Sequence, residues 1–302
     1  MASLHTFPPT EQVYESFVPG KFSGLALEKY FATRFTYLKE EDWAELIREG
    51  KITLNGKTVQ PGHRVKERDR TKTRMEPRSE PPADRSLEIV YQDRDLRIFN
   101  KAAPIPVHPS GRYFKNSMTE LLKEVYPEET PRPVQRLDAT TTGLIVFARS
   151  RKVAACMMGE FQQNRVQKVY LAIVEGRPIK ERFVIESPIG KTQSSKRETG
   201  QDILHAKSAL TEVEWIHTLG GRSLLKVMPR SGRTNQIRVH LASIGHPVYN
   251  DAVYGRGEPD VCQFGLHAYK LRFNCFDREL QVVARYPDNF KPYLEGKTET
   301  IS

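Results

Sequence analysis

From Leu87 onward the chain is a succession of short strand-like runs, several of them joined by connections too short to carry a parallel crossover. LEIVYQ and LRIFNK flank Asp93-Arg94-Asp95, and GLIVFARS, KVYLAIVEG, SALTEVEWI, SLLKVMP, LHAYKLRF and LQVVARYP follow. Parallel neighbours need a return of a dozen or more residues. An α+β catalytic-sized domain built on a mixed, mostly antiparallel sheet with flanking helices is therefore expected. One such helix is VAACMMGEFQQ, where Ser150 can cap the start and Ala154, Met157, Met158 and Phe161 share a face.

The region before Leu87 is organised differently. After an irregular start, Leu27, Tyr30, Phe31 and Phe35 recur at helical spacing, and Trp43, Leu46 and Ile47 repeat it in a segment closed by Gly50. KITLNGKTV then places two strand-like runs around Asn55-Gly56, a dipeptide suited to a tight hairpin because both positions tolerate positive φ. This predicts a helix-helix-hairpin unit over residues 1–67. Residues 68–85, RDRTKTRMEPRSEPPADR, are charged, carry Pro77, Pro81 and Pro82 and show no apolar periodicity, so they read as a linker. The larger domain is placed at 86–302.

Lys and Arg outnumber Asp and Glu by 47 to 37, a formal charge of +10, which fits a polyanionic partner and equally a chain with surplus surface lysines. The cysteines, Cys156, Cys262 and Cys275, have no paired spacing, so neither a disulfide framework nor a zinc site is expected. No basic stretch followed by an apolar run opens the chain, and nothing approaches the ~20 apolar residues of a membrane span. A cytoplasmic protein without a membrane partner is the expectation.

Three segments could carry chemistry, though each is unexceptional alone. VQRLDATTTGLIVFARS puts Asp138 in a polar turn before a hydrophobic strand, where a turn aspartate commonly bonds backbone amides. KVYLAIVEG alternates, and Tyr170 read by itself is a half-buried sheet tyrosine. SGRTNQIRVHLASIGHPV fits a helix by Ile237, Leu241 and Ile244, stopped by Gly245 and Pro247, with Thr234 as the expected cap. Arg238 then lies at the edge of the apolar stripe, where a guanidinium can bury its stem and reach a carboxylate.

In this order and spacing the three resemble the RluA-type RNA pseudouridine synthases, whose hallmarks are an "RLD" carboxylate motif, a "K-x-Y-L-A" strand and a "G-R-T-x-Q-I-R-V-H-L" helix. The match runs from about Leu87 to Tyr286 and includes NK, HPSGR, AKSALTEV, GHPVYNDAVYG and LHAYKLRF. The front unit, with LIREGKITLNGKTV followed by VKERD, is similar to the αL RNA-binding motif of ribosome-associated proteins, except that Glu40, Glu41 and Asp42 stand where basic or hydroxyl side chains are usual.

The resemblance implies an enzyme that isomerises uridine to pseudouridine. It makes Asp138 the catalytic carboxylate and Arg238 its ionic partner. Tyr170 would stack on the uracil and take the proton released at ring carbon five, and Leu266 would be an apolar wall of the pocket. Arg136 would fill the gap left by a flipped nucleotide or hold a neighbouring phosphate. It implies no metal and no cofactor, a monomer, and RNA as partner, ribosomal RNA first and transfer RNA second. The alternative is a silent RNA-binding protein of the same fold. A Ser-His-Asp hydrolase is remote, since the chain has no G-x-S-x-G and its eight histidines form no H-E-x-x-H.

Overall fold

The computed structural model describes residues 4–192, 196–200, 203, 205–255 and 263–295, so Cys262 lies outside the described residues. Two units divide the chain: Phe7–Glu80, and a larger one formed by Pro81 onward together with the N-terminal segment up to Thr6. The first strand, β1 (Leu4–His5), belongs to that larger unit.

The smaller unit contains β2 (Thr10–Phe17), α1 (Leu27–Arg34), α2 (Glu40–Arg48), β3 (Ile52–Leu54), β4 (Lys57–Thr58) and β5 (Arg70–Arg78). Leu27, Tyr30 and Phe31 of α1 and Trp43 and Ile47 of α2 close over Ile52, Leu54 and Val65, which is the core anticipated from their spacing. Asn55 and Gly56 both take positive φ, 51° and 80°, and make the hairpin turn between β3 and β4. Glu40, Glu41 and Asp42 fill the first turn of α2, where carboxylates complement the helix dipole, and Asp42 Oδ2 accepts the Lys39 N–H at 3.0 Å. Their acidity has a local structural use.

The expected linker is corrected. Residues 70–78 form β5, an inner strand of a four-stranded sheet ordered β2-β5-β3-β4. Thr71, Thr73 and Met75 are buried, while Arg70, Lys72, Arg74 and Glu76 alternate with them on the opposite face. The charged residues of RTKTRMEPR hide a period-two pattern whose inward members are mostly threonine. The "irregular start" likewise contains β2, paired along β5.

The larger unit continues with β6 (Ala83–Asp84), β7 (Leu87–Gln92), β8 (Leu96–Lys101), α3 (Met118–Val125), β9 (Thr142–Ala148), α4 (Arg151–Gln162) and β10 (Gln167–Glu175). Then come β11 (Arg182–Glu186), β12 (Ile189–Lys191), β13 (Arg197–Thr199), β14 (Leu210–Leu219), β15 (Arg222–Pro229), α5 (Gln236–Ser243), β16 (Leu266–Cys275), β17 (Arg278–Val283) and α6 (Lys291–Leu294). Nine strands make one sheet ordered β11-β14-β15-β10-β16-β9-β8-β7, with β17 added on β16. The fold is mixed and mostly antiparallel, as expected; β16 with β9 is the parallel pair. β1 pairs with β6, and Ala83 of β6 is packed in the core, so the N-terminal residues and 81–85 are parts of this unit.

Helices cover both faces. Met118, Leu121 and Leu122 of α3 pack on Phe99, Ile145 and Phe147, whereas Val153, Ala154 and Met157 of α4 pack on Leu96, Ile98, Leu144 and Val146, the alternate residues of the same strands. Ser150 caps α4 by accepting from the Val153 N–H at 3.2 Å. Ile237 and Leu241 of α5 cover Ala172, Val174, Leu225 and Val227; Tyr293 and Leu294 of α6 cover Leu171, Ile173 and Leu224 behind them. Tyr170 packs against both the α3 and the α5 clusters, and the functional cleft opens beside it.

The sheet forks next to that cleft. His267 and Ala268 of β16 pair with Thr142 and Gly143, while Lys270–Cys275 pair with β17. Gly143 permits the fork: its φ is +106°, and a Cβ there would meet the Ala268 carbonyl oxygen at 2.2 Å. Gly143→Ala is expected to lower stability by at least about 1–3 kcal/mol from backbone strain, with the collision in addition. A denaturant midpoint equal to that of the wild type would contradict this close approach.

Candidate active site

The turn that carries Asp138 is held from three sides. Before it, Val134 N–H donates to the Val146 carbonyl at 3.0 Å, and the Gln135 amide both accepts from Val146 N–H and donates to the Leu144 carbonyl, each at 3.2 Å. After it, Thr141 N–H closes the turn on the Asp138 carbonyl at 3.1 Å. Beneath it, Lys101 Nζ donates to the carbonyls of Ala102, Ile105 and Ala139 at 2.8, 2.8 and 3.1 Å. Burial pushes Lys101 down to about 7, against the opposing charges of Asp138 and Asp84. Three carbonyls nonetheless use three N–H bonds, and only the ammonium has three to give.

Arg238 reaches the turn from α5. Its Nη1 donates to Asp138 Oδ2 at 2.7 Å, and its Nε and Nη2 donate to Asp251 Oδ2 and Oδ1 at 2.7 and 2.8 Å. Asp251, whose side chain is fully buried, also accepts the backbone N–H groups of Val253 and Tyr254. Burial pushes the Asp251 carboxyl up, but the Arg238 bonds and the two backbone donors outweigh it and hold it below the usual carboxylate range. Burial likewise disfavours the guanidinium, and the two carboxylates more than reverse that, so Arg238 stays charged. The guanidinium therefore holds a fixed orientation: a bidentate fork from Nε and Nη2 onto Asp251 aims Nη1 at Asp138.

The expected cap of this helix is corrected. Asn235, not Thr234, occupies the N-cap, in a left-handed conformation with φ 56° and without a capping side-chain bond. Gln236 organises the approach instead. Its Oε1 accepts from Ser231 Oγ and Arg233 N–H at 2.7 and 3.0 Å, while its Nε2 donates to the Leu210 carbonyl and to Thr211 Oγ1, both at 3.0 Å.

All five residues singled out in the sequence border one cleft of about 160 Å³: Asp138, Tyr170, Arg238, Arg136 and Leu266. Leu266 is buried in the wall, and Arg136 is exposed at the rim. A second depression, lined in part by His108, Arg112, Tyr113 and Arg136, also reaches Asp138 and Arg238. Burial, then the Asp138 charge, push the Tyr170 phenol up to about 12. A phenol so placed is protonated at neutral pH in the free protein.

Two groups escaped the reading of the sequence. Asp251 lies in GHPVYNDAVYG, a matching segment to which no role was attached, and nothing local distinguishes it from a turn aspartate. Lys101 stands in the NK dipeptide and looks like a surface lysine, yet it is fully buried.

Comparison with known proteins defines the class. The RNA pseudouridylate synthase family matches residues 95–243, and the S4 domain matches residues 44–70. The ribosomal large subunit pseudouridine synthase D of Zymomonas mobilis is 30% identical over 83% of this chain and 82% of that protein. The mitochondrial tRNA pseudouridine(32) synthase of Saccharomyces cerevisiae is 29% identical over 84% of this chain, which spans only 56% of that longer protein. Among solved structures, human RNA pseudouridylate synthase domain containing 1 superposes with a TM-score of 0.60 at 27% identity, covering 72% of this chain and 89% of its own. The chain belongs to the RNA pseudouridine synthases, of the RluA type, with an N-terminal S4 RNA-binding domain. Its substrate is RNA.

Proposed function

We propose that this enzyme acts on uridines of large-subunit ribosomal RNA as a monomer, with Asp138 as the carboxylate that performs the glycosidic bond exchange. The observation that carries the chemical part is the three-way hold on Asp138, which leaves one carboxylate facing a cleft walled by Tyr170 and Leu266. The target part is supported by the name of the Zymomonas relative. Transfer RNA is the second reading, favoured by the name of the yeast relative.

The target nucleotide must leave its stack, at a cost of a few kcal/mol. Arg136 at the rim takes the vacated space or the adjoining phosphate, and the uracil enters against the Tyr170 ring and the Leu266 side chain. The C1′–N1 bond then breaks with its electron pair going to the uracil. Asp138 neutralises the sugar, either by bonding to C1′ or by taking the 2′ proton. The uracil turns and C5 bonds to C1′ as Asp138 leaves C1′ or returns the 2′ proton; the regenerated carboxylate then accepts the C5 proton and passes it to solvent, and N1 takes up a proton.

Mapping pseudouridines in cellular RNA with and without the gene tests the target. Loss of one or a few sites confined to large-subunit ribosomal RNA, restored by the wild-type gene, is expected. Loss confined to transfer RNA would replace the first reading by the second.

A further inference from the structure

Lys168 is a cation in the catalytic cleft with no carboxylate assigned to it. It lies on β10 two residues before Tyr170, and both side chains line the cleft that holds Asp138. Its Nζ donates to the Ser231 carbonyl at 3.2 Å, and among the described residues it forms no ion pair. The side chain is half-buried, and that burial pushes its ammonium down from the ordinary lysine value. A recessed cation satisfied by one neutral carbonyl keeps two N–H donors for something that enters the cleft. We propose that Lys168 is a catalytic residue that donates to a carbonyl oxygen of the uracil and stabilises the negative charge the detached base carries.

This inference rests on the reading of the cleft as the site of glycosidic bond exchange. When C1′–N1 breaks, the electron pair leaves with the base and its charge is shared among N1, O2 and O4. Asp138 answers the positive charge on the sugar, and a cation is needed to answer the negative charge on the base. Arg238 is already committed to Asp138 and Asp251, and Arg136 is exposed at the rim rather than recessed in the cleft. Lys168 is recessed on the same strand face as the ring on which the base stacks. Turning the uracil about its N3–C6 axis exchanges N1 with C5 and also exchanges O2 with O4. One ammonium can therefore meet a carbonyl oxygen before and after the turn. C5 then returns the pair to C1′, the ring loses its C5 proton through Asp138 to solvent, and N1 takes up a proton from solvent. Lys168 keeps its own protons throughout.

The test uses the full-length protein and in vitro transcripts of large-subunit ribosomal RNA containing either uridine or 5-fluorouridine. Single-turnover consumption is read by mass spectrometry of the nucleosides, alongside filter binding. Loss of a preorganised donor to a developing oxyanion costs ~10²–10³ in rate. Lys168→Met should show such a loss on uridine at saturating enzyme, with binding changed by less than about threefold, and Lys168→Arg should recover part of the rate. Fluorine makes the uracil a better leaving anion, so the Lys168→Met loss should be markedly smaller on 5-fluorouridine. Equal losses on both transcripts, or weakened binding with a wild-type rate at saturation, would overturn the proposal and mark Lys168 as structural or as a phosphate anchor. An inactive wild-type protein would instead overturn the reading beneath it.

Discussion

Arg238→Ala is expected to abolish turnover and to destabilise the catalytic unit by about 3–5 kcal/mol, the cost of stranding a buried charge. The larger part comes from Asp251, which loses two of the four hydrogen bonds on a fully buried carboxylate. It must then protonate or admit water. The loss at Asp138 is smaller, because that carboxylate is about a quarter exposed and can be hydrated. Arg238→Lys should fold better and still fail in catalysis, since an ammonium cannot fork onto Asp251 and donate to Asp138 at once. Replacing the pair together, Arg238→Met with Asp251→Leu, should return much of the stability and none of the activity, because apolar packing can substitute for a buried ion pair. Urea denaturation of the three variants beside the wild type measures this. Full stability in Arg238→Ala would show that Asp251 does not depend on the guanidinium.

The contrast between Asp138 and Asp251 shows what a single sequence reveals of such a site. Asp138 and Arg238 sit inside long motifs with distinctive neighbours and Tyr170 in the shorter K-x-Y-L-A strand, while Arg136 comes with the first motif and Leu266 with the separate LHAYKLRF segment. Asp251 matters through a contact thirteen residues from Arg238, across a loop, and no periodicity announces it. Strands were visible where apolar residues run together, as in β9 and β10, and invisible in β5, whose inward positions are Thr71, Thr73 and Met75. The pairing of Leu4–His5 with Ala83–Asp84 joins segments separated in sequence by the whole small unit and leaves no local signature. The start of α5 was misplaced by one residue because Asn235 enters a left-handed conformation and Gln236 takes over the bonding that a capping threonine would supply.

Asp138→Asn is expected to abolish isomerisation while leaving fold and RNA affinity nearly intact. The amide has the shape of the carboxylic acid and still accepts the Arg238 Nη1 bond through its oxygen. The charge-assisted part of that bond is lost, at about 1–3 kcal/mol. What it cannot do is bond to the anomeric or the ring carbon or accept a proton, and attack on either carbon and removal of the ribose proton each need one of these. Binding and chemistry should therefore separate cleanly, in contrast to Arg238→Ala, where stability falls with activity. The most direct measurement follows tritium released from C5 of labelled uridine in unmodified RNA, with filter binding to the same RNA. Wild-type protein should release tritium, and Asp138→Asn should release none while binding with a Kd within about threefold of the wild type. Wild-type-like release by the asparagine variant would contradict the assignment of Asp138 as the carboxylate that performs the reaction.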